Sequence, residues 1–168
     1  MKQEYTSAKS SIKQVPAGFG IIDKHFGWQP NTFNFDIGGG KYDLMTEKLK
    51  EKNVTNIIYD PYNRTKEYNL KSLHFCLSNE INTVTIFNVL NVIKEYECQL
   101  DVIKLGYNVL KSDGYIFIRS TYMNPKKRSG VTKSGTYQHY LKQEDYLKIV
   151  REVFKNAELK YGIIYAKK

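Results

Sequence analysis

The sequence contains little cysteine and no long apolar run. Its two cysteines, Cys76 and Cys98, follow an N-terminus without a secretory signal. They are therefore expected to be reduced thiols of a cytoplasmic protein rather than a disulfide framework. The longest apolar stretch, residues 83–93, is interrupted by Asn88 and Asn91, and it falls short of the roughly 18 residues that a membrane helix needs. The His and Cys spacings fit no zinc site, so no metal is expected.

Arginine is also scarce, although the chain is basic. It carries 26 Lys and Arg against 17 Asp and Glu, a net charge of +9, and a basic surface favours nucleic acid as a partner. Lysine outnumbers arginine 22 to 4. An AT-rich genome imposes that bias whatever the function, and arginine is the residue that phosphate and base contacts favour. The charge alone leaves both explanations open.

Hydrophobic periodicity predicts strands that alternate with helices. Strands are expected at 32–37, 54–59, 83–88, 115–119 and 159–166, and helices at 43–52, 67–78, 93–111 and 144–154. A short helix is expected to begin near Ile12 and to end or bend at Pro16 and Gly18. This order is typical of an α/β fold with a mostly parallel sheet and helices on both faces.

No linker or internal repeat divides the chain. We therefore expect a single domain over residues 1–168, with a helical N-terminal segment at 1–30 and a basic loop at 120–142 on the substrate side. In parallel sheets, ligands bind beyond the carboxyl ends of the strands. Candidate site residues are therefore expected where each strand ends.

Three glycines, Gly38, Gly39 and Gly40, follow the first predicted strand, and Asp36 precedes them. Glycine lets the backbone approach a ligand closely. The dinucleotide fingerprint requires a further glycine where Asp43 stands, and an acidic side chain there would repel a pyrophosphate. The pattern argues against a nicotinamide dehydrogenase and favours a cationic ligand without phosphate. The alternative is an ordinary turn between strand and helix.

The second predicted strand ends in Asp60, Pro61 and Tyr62. Asp60 lies 22 residues after Gly38, about where nucleoside-binding α/β folds place an acidic residue that accepts hydrogen bonds from ribose. A carboxylate offers two acceptor oxygens on a short stem, and Tyr62 is placed to lie against an adenine. The alternative is a solvated Asp-Pro turn.

Two polar residues, Asn88 and Asn91, interrupt the apolar run at the end of the third predicted strand. Buried amides need hydrogen-bond partners. Their side chains either fix the backbone at the strand exit or face a ligand, and the sequence leaves both possibilities open.

The stretch 119–142 is basic and contains no Asp or Glu. Its basic residues are Arg119, Lys126, Lys127, Arg128, Lys133 and Lys142, and its aromatic residues are Tyr122, Tyr137 and Tyr140. Cations interleaved with aromatic rings suit a phosphate backbone and stacked bases. His139 is the only histidine after the fourth predicted strand. The alternative is a solvated loop with a surface imidazole.

Together, residues 36–43, 59–64, 88–95 and 110–118 resemble the class I S-adenosylmethionine-dependent methyltransferases. The resemblance implies a Rossmann-like three-layer α/β/α sandwich with an antiparallel last strand. It also implies S-adenosylmethionine as cofactor and S-adenosylhomocysteine as product, with the glycine loop around the methionine part and Asp60 on the ribose. The cofactor-binding residues it implies are Asp36, Gly38, Gly39, Gly40, Lys41, Asp60, Pro61, Tyr62 and Asn88.

More narrowly, these segments and residues 11–17 are similar to small methyltransferase-like proteins of bacteria and their phages. The chain departs from the family where Tyr42 replaces the third glycine, and no catalytic carboxylate, cysteine or Asp-Pro-Pro-Tyr box follows the strand that ends at Asn88. Asn88 and Asn91 are therefore the catalytic candidates, because an amide oxygen can orient an amine acceptor without ionising. The candidate substrate contacts are Gln14, Arg119, Tyr122, Arg128 and His139.

The sequence thus predicts a cytoplasmic methyltransferase (in the host cytoplasm if phage-encoded) that acts on an amine or base nitrogen of nucleic acid. One alternative is a methyltransferase for a small molecule or a protein. Another, from a different class, is a module that binds S-adenosylmethionine without transferring its methyl group. The oligomeric state stays open.

Overall fold

A computed structural model describes residues 3–120 and 126–168 of the chain. The helices are α1 (Ala17–His25), α2 (Leu44–Glu51), α3 (Lys66–Ser78), α4 (Tyr96–Val109) and α5 (Gln143–Val150), with a 3-10 turn at Leu90–Val92. The strands are β1 (Thr32–Ile37), β2 (Val54–Tyr59), β3 (Ile81–Phe87), β4 (Leu110–Arg119), β5 (Gly130–Val131), β6 (Tyr137–Gln138), β7 (Glu158–Lys160) and β8 (Ile163–Lys167).

Six strands form one sheet in the order β2-β1-β3-β4-β8-β7. The pairs among β1, β2, β3 and β4 are parallel, whereas β8 is antiparallel to β4 and β7 is antiparallel to β8. Side chains alternate across the sheet, so Ile86 joins an apolar cluster with residues of α4 and α5, and Phe87 joins another with residues of α1 and α2. The predicted three-layer sandwich, including its antiparallel end, is confirmed.

The N-terminal helix begins later than expected. Instead of starting near Ile12 and ending at Pro16, α1 starts directly after Pro16, which has extended backbone angles (φ −60°, ψ 138°). Proline lacks an N–H group and is tolerated where a helix begins, because the first helical N–H groups have no partner inside the helix. The prediction that Pro16 ends or bends a helix was therefore wrong, because Pro16 directly precedes the first residue of α1.

The predicted last strand at 159–166 is instead the hairpin β7–β8. Its turn is made by Tyr161 and Gly162, both with positive φ (55° and 73°), as a tight hairpin turn requires. Strand β4 begins at Leu110 rather than at residue 115 as predicted, and Asp113 within it has a left-handed conformation (φ 67°). Helix α4 is shorter than predicted, since Glu95 precedes its first residue in an extended conformation.

Helix α3 covers the outer edge of β2 with polar side chains. Ser72 Oγ donates to the Ile58 carbonyl (2.6 Å), and Asn69 Oδ1 accepts from the Asp60 N–H (2.8 Å). Peptide groups at a sheet edge need partners, and a covering helix is one way to supply them. Asn69 and Ser72 are therefore buried, whereas Leu70 and Leu77 on the same helix are exposed.

Cys76 and Cys98 are both buried free thiols. In the described part of the chain, no helix has the length and apolar character needed to cross a membrane. Residues 3–120 and 126–168 also contain no group of three or more His, Cys, Asp or Glu that could hold a metal ion.

Candidate functional site

A cavity of about 320 Å³ lies where the carboxyl ends of β1, β2 and β3 meet. Eight of the nine predicted cofactor residues line it: Asp36, Gly38, Gly39, Gly40, Asp60, Pro61, Tyr62 and Asn88. The exception is Lys41, whose side chain is exposed and lies over the Tyr42 ring (5.1 Å). The cavity thus occupies the position expected for a ligand in a parallel sheet.

Three backbone N–H groups of the glycine loop are already bonded within the protein. Gly38 donates to the Tyr59 carbonyl (2.7 Å), Gly40 donates to Asp60 Oδ2 (2.9 Å) and Lys41 donates to Ser11 Oγ (3.1 Å). A phosphate site instead presents such groups to the anion. The loop therefore fits a ligand without phosphate, as the sequence predicted.

Asp36 lies directly beneath the loop. A Cβ atom added at Gly39 would meet Asp36 Oδ2 at 2.4 Å, so only glycine allows this approach. Burial raises the pKa of Asp36 to about 6, against a lowering effect of the hydrogen bond from Thr85 Oγ1 (2.8 Å), and the charge of Asp60 raises it further. The wall beneath Gly39 therefore carries a carboxyl group whose negative charge is costly without a cation nearby.

The carboxylate of Asp60 accepts four hydrogen bonds within the protein. Oδ1 accepts from the N–H groups of Tyr62 (2.9 Å) and Asn63 (3.0 Å), and Oδ2 accepts from the Gly40 N–H (2.9 Å) and Asn63 Nδ2 (3.1 Å). Two carboxylate oxygens offer about four lone-pair positions. Asp60 therefore joins the loop after β2 to the glycine loop, and a ligand hydroxyl would have to displace one of these donors.

Sequence reasoning assigned no role to Arg64, which also holds the glycine loop. Its Nε donates to the Gly40 carbonyl (2.8 Å), and its Nη2 pairs with Asp43 Oδ1 (2.7 Å). The acidic residue that replaces the dinucleotide glycine thus pairs with an arginine. An arginine can hold a neighbouring loop through its fork of donors, but the residue types alone do not reveal that the Gly40 carbonyl lies within its reach.

Residues 3–16, here called the strap, run beside the cavity, and among them only Gln14 was predicted to belong to the site. Gln3, Ser7, Ser10, Ser11, Ile12 and Gln14 of the strap line the cavity. Glu4 pairs with Lys94 (2.5 Å) and donates its N–H to Glu95 (3.0 Å). This segment has no regular secondary structure, so no periodic pattern in the sequence could reveal it. The candidate substrate residue Gln14 lies in it.

The two candidate catalytic asparagines lie in different surroundings. Asn88 lines the cavity, has a left-handed backbone (φ 57°) and donates its N–H to the Arg119 carbonyl (2.8 Å). Asn91 is buried outside the cavity wall, where its Nδ2 is 3.4 Å from Gln138 Oε1. The geometry therefore gives Asn88, and not Asn91, direct access to a bound ligand.

Three other candidate substrate residues, Arg119, Arg128 and His139, lie outside the cavity wall. His139 donates its N–H to the Asn91 carbonyl (2.7 Å), and burial lowers the pKa of its imidazole. Arg128 lines a separate surface concavity together with Lys127, Lys133 and Tyr140. Arg119 ends β4, and burial lowers the pKa of its guanidinium. Tyr122 lies outside the described residues.

The hairpin β5–β6 lies within this basic segment, and β6 contacts the 3-10 turn that follows β3. Tyr137 packs against Tyr5 of the strap (5.8 Å between ring centroids) and against His139 (4.8 Å). The Lys127 ammonium lies 5.7 Å from the centre of the Tyr140 ring. The basic segment is thus held beside the strap, at the same edge of the sheet as the cavity.

No protein-family model matches this chain. No curated protein sequence matches it either. Among solved structures, it is similar to the 1,6-didemethyltoxoflavin-N1-methyltransferase of Burkholderia thailandensis, solved with its substrate and S-adenosylhomocysteine (TM-score 0.64, 12% identity, 90% of this chain and 76% of that chain).

Two further structures extend the comparison. One is a sugar N-methyltransferase from Streptoalloteichus (TM-score 0.58, 10% identity, 97% of this chain and 87% of that chain). The other is human N-acetylserotonin methyltransferase in complex with S-adenosylmethionine (TM-score 0.56, 14% identity), of which this chain covers 47%. The chain thus has the fold of the class I S-adenosylmethionine-dependent methyltransferases, as the sequence predicted.

Proposed function

We propose that this protein is an S-adenosylmethionine-dependent methyltransferase whose acceptor is an amine or base nitrogen of a nucleic acid. The choice of cofactor rests on the cavity above Asp36. This cavity is lined by a glycine loop whose N–H groups are bonded within the protein. A cationic sulfonium without phosphate matches both the buried carboxyl group of Asp36 and the internal bonding of the Gly38, Gly40 and Lys41 N–H groups. Structural neighbours solved with S-adenosylmethionine or S-adenosylhomocysteine support the same cofactor.

Different residues of the cavity wall contact different parts of the proposed cofactor. Gly38, Gly39 and Gly40 contact the methionine part, and Tyr62 lies against the adenine. Asp60 accepts from the ribose hydroxyls in place of Asn63 Nδ2, the only side-chain donor among its four partners. Lys41 does not line the cavity, and it supports the loop through the bond from its N–H to Ser11 Oγ.

When bound, the cofactor would supply an electrophilic methyl group: the bond from the acceptor nitrogen to the methyl carbon would form as the carbon–sulfur bond breaks, S-adenosylhomocysteine would leave, and the nitrogen would release its proton to solvent. Much of the rate of such a step comes from holding the two reactants in the right geometry. Asn88, at the cavity wall, orients the acceptor through its side-chain amide, and its backbone is fixed by the hydrogen bond to Arg119. Asn91 acts indirectly, by holding Gln138 and His139.

The basic segment supports nucleic acid as the acceptor. Lys127, Arg128 and Lys133 surround one concavity with Tyr140 in its wall, and such a combination suits phosphates and a stacked base. Arg119 and His139, which follow β4 and β6, are further candidate contacts, and Tyr122 is a candidate on the sequence alone.

Calorimetric titration with S-adenosylhomocysteine tests whether the protein binds the proposed cofactor, and NAD serves as the control ligand. We expect micromolar binding of S-adenosylhomocysteine and none of NAD. The Asp60→Asn variant keeps the shape of the carboxylate but turns one oxygen into a donor, so its affinity should fall at least tenfold. Absence of binding by the wild-type protein would remove the main support for the proposal.

Binding to a labelled RNA or DNA oligonucleotide at several salt concentrations tests the acceptor. Phosphate contacts make affinity fall steeply with salt, and the triple variant Lys127→Glu, Arg128→Glu, Lys133→Glu should flatten that slope. The matched control exchanges three exposed lysines elsewhere, Lys24, Lys155 and Lys160, for glutamate. An equal loss of oligonucleotide affinity in both variants would mean that binding depends only on the net charge of the protein.

A small-molecule acceptor is the second candidate. It is favoured by the strap, which lines a cavity of about 320 Å³, and by the 1,6-didemethyltoxoflavin bound in one structural neighbour. Methyl transfer from labelled cofactor to a metabolite extract, with none to nucleic acid, would select it. Cofactor binding with no transfer to either would indicate a binding module.

A further inference from the structure

The two backbone polar groups of Gly40 are both held by side chains from the loop between β2 and α3. Asp60 Oδ2 accepts the Gly40 N–H (2.9 Å), and Arg64 Nε donates to the Gly40 carbonyl (2.8 Å). We propose that Arg64 is a positioning residue that fixes the glycine loop in its ligand-binding shape. This role rests on the proposed function, because it concerns the same cofactor cavity.

The contacts of Arg64 require a guanidinium group. While Nε bonds Gly40, Nη2 bonds Asp43 Oδ1 (2.7 Å), and the guanidinium carbon lies 5.2 Å from the centre of the Tyr68 ring. Only 14% of the side chain is exposed. A planar fork holds two acceptors and a ring in one fixed geometry, whereas the ammonium of lysine acts as a single point charge. Lysine therefore cannot replace all three contacts.

Gly40 has few other ways to hold its conformation. Its φ is +72°, and a Cβ atom there would meet Ser11 Oγ of the strap at 2.5 Å. Arg64 does not line the cavity itself. It acts on the ligand through Gly40, and so through the loop assigned to the methionine part.

The ribose side of the site has a separate support. Asn69 accepts from the Asp60 N–H (2.8 Å) and donates to the Asp60 carbonyl (3.0 Å) from within α3. Loss of the Arg64 contacts therefore leaves Asp60 in place while freeing the carbonyl of Gly40. A ligand that lacks the amino acid part should be insensitive to Arg64.

The test compares two ligands on the Arg64→Lys variant. S-adenosylhomocysteine carries the amino acid part, and 5′-methylthioadenosine is the same nucleoside thioether without it. We expect the Kd for S-adenosylhomocysteine to rise about tenfold and the Kd for methylthioadenosine to change less than twofold, both measured by calorimetry. Asp43→Asn, which leaves the bond from Nε to Gly40, should weaken S-adenosylhomocysteine binding by about threefold.

The matched control is Arg151→Lys. Arg151 also donates its Nε to a backbone carbonyl, that of Ala157 (3.0 Å), but it does so at the end of α5. Neither Kd should change in this variant. Unchanged binding of S-adenosylhomocysteine by Arg64→Lys, or an equal loss for both ligands, would overturn the positioning role. Failure of the wild-type protein to bind either ligand would instead overturn the proposed function and, with it, this role.

Discussion

At the scale of the residue, Asp36 keeps a carboxyl group where burial disfavours its charge. Its side chain is enclosed by Thr85 and by the backbone of Gly39, and its pKa is raised to about 6. Perturbed acids of this kind cluster at functional sites, where the cost is offset by what the charge does for a ligand. A structural residue at this position would need no ionisable group.

This cost predicts a pH-dependent gain in stability for Asp36→Asn. The pKa in the folded protein is raised above the ordinary value of 3.8, so the unfolded chain loses its proton first and stability falls as pH rises from about 4 to about 6. Above pH 6 the full cost is present, at most about 3 kcal/mol. Urea denaturation should show that the free energy of unfolding of the variant rises relative to that of the wild type between pH 4 and pH 7. A constant difference across that range would contradict the assignment.

Alanine substitutions at Gly39 and Gly20 test how tightly Gly39 packs against Asp36, with Gly20 as the unpacked control. Gly39→Ala would press a methyl group against Asp36 Oδ2 at 2.4 Å, and overpacking of this kind costs about 1–3 kcal/mol. Gly20 lies in α1 with no atom near its Cβ position, so Gly20→Ala should stabilise the helix by up to about 1 kcal/mol. Thermal or urea unfolding of the two variants should give shifts of opposite sign.

At the scale of the element, α3 shows where sequence patterning was a poor guide. Its apolar residues include Leu70 and Leu77, which the structure leaves 56% and 84% exposed, while Asn69 and Ser72 are buried. The helix itself was predicted from its apolar residues, which include these two leucines. Which face it buries could not be predicted, because that depends on the unpaired peptide groups of β2.

Because the buried face of α3 is polar, replacing a buried polar residue of this helix should reduce stability more than replacing an exposed leucine. Ser72→Ala leaves the Ile58 carbonyl without its donor at 2.6 Å, which should cost about 1–3 kcal/mol. Leu77→Ala removes a larger but 84% exposed side chain and should change stability by less than about 0.5 kcal/mol. Denaturant titration of both variants distinguishes this expectation from the usual one, in which the leucine substitution would be the more damaging.

The parallel strands were predicted to within two residues at most ends because their apolar runs are short and are bounded by glycine, proline or polar residues. The placement of the eight cavity-lining candidates could also be predicted, since seven of them follow a strand that leads to the same edge and Asp36 lies near the end of β1. The strap was not, because it reaches the cavity through isolated contacts such as the bond from Lys41 to Ser11. Arg64 was missed because its role depends on the backbone of Gly40, which no residue type reveals.

At the scale of the whole molecule, ligand binding should raise stability, because the cavity is assembled from β1, β2, β3 and the strap, all of which separate on unfolding. A ligand that binds only the folded state at 100 times its Kd adds about 2.7 kcal/mol. For a chain of this size, that corresponds to a rise in Tm of roughly 5–10 °C. Differential scanning fluorimetry with S-adenosylhomocysteine should show the shift, and NAD should not produce it.

The covering of β2 by α3 also bears on how the protein behaves at high concentration. An uncharged strand of six residues at a sheet edge invites pairing with another chain and aggregation. Ser72 and Asn69 occupy hydrogen-bonding positions along that edge. The opposite edge is the three-residue strand β7, which carries Glu158 and Lys160. Each margin of the sheet is thus protected from edge-to-edge assembly, one by a covering helix and the other by shortness and charge.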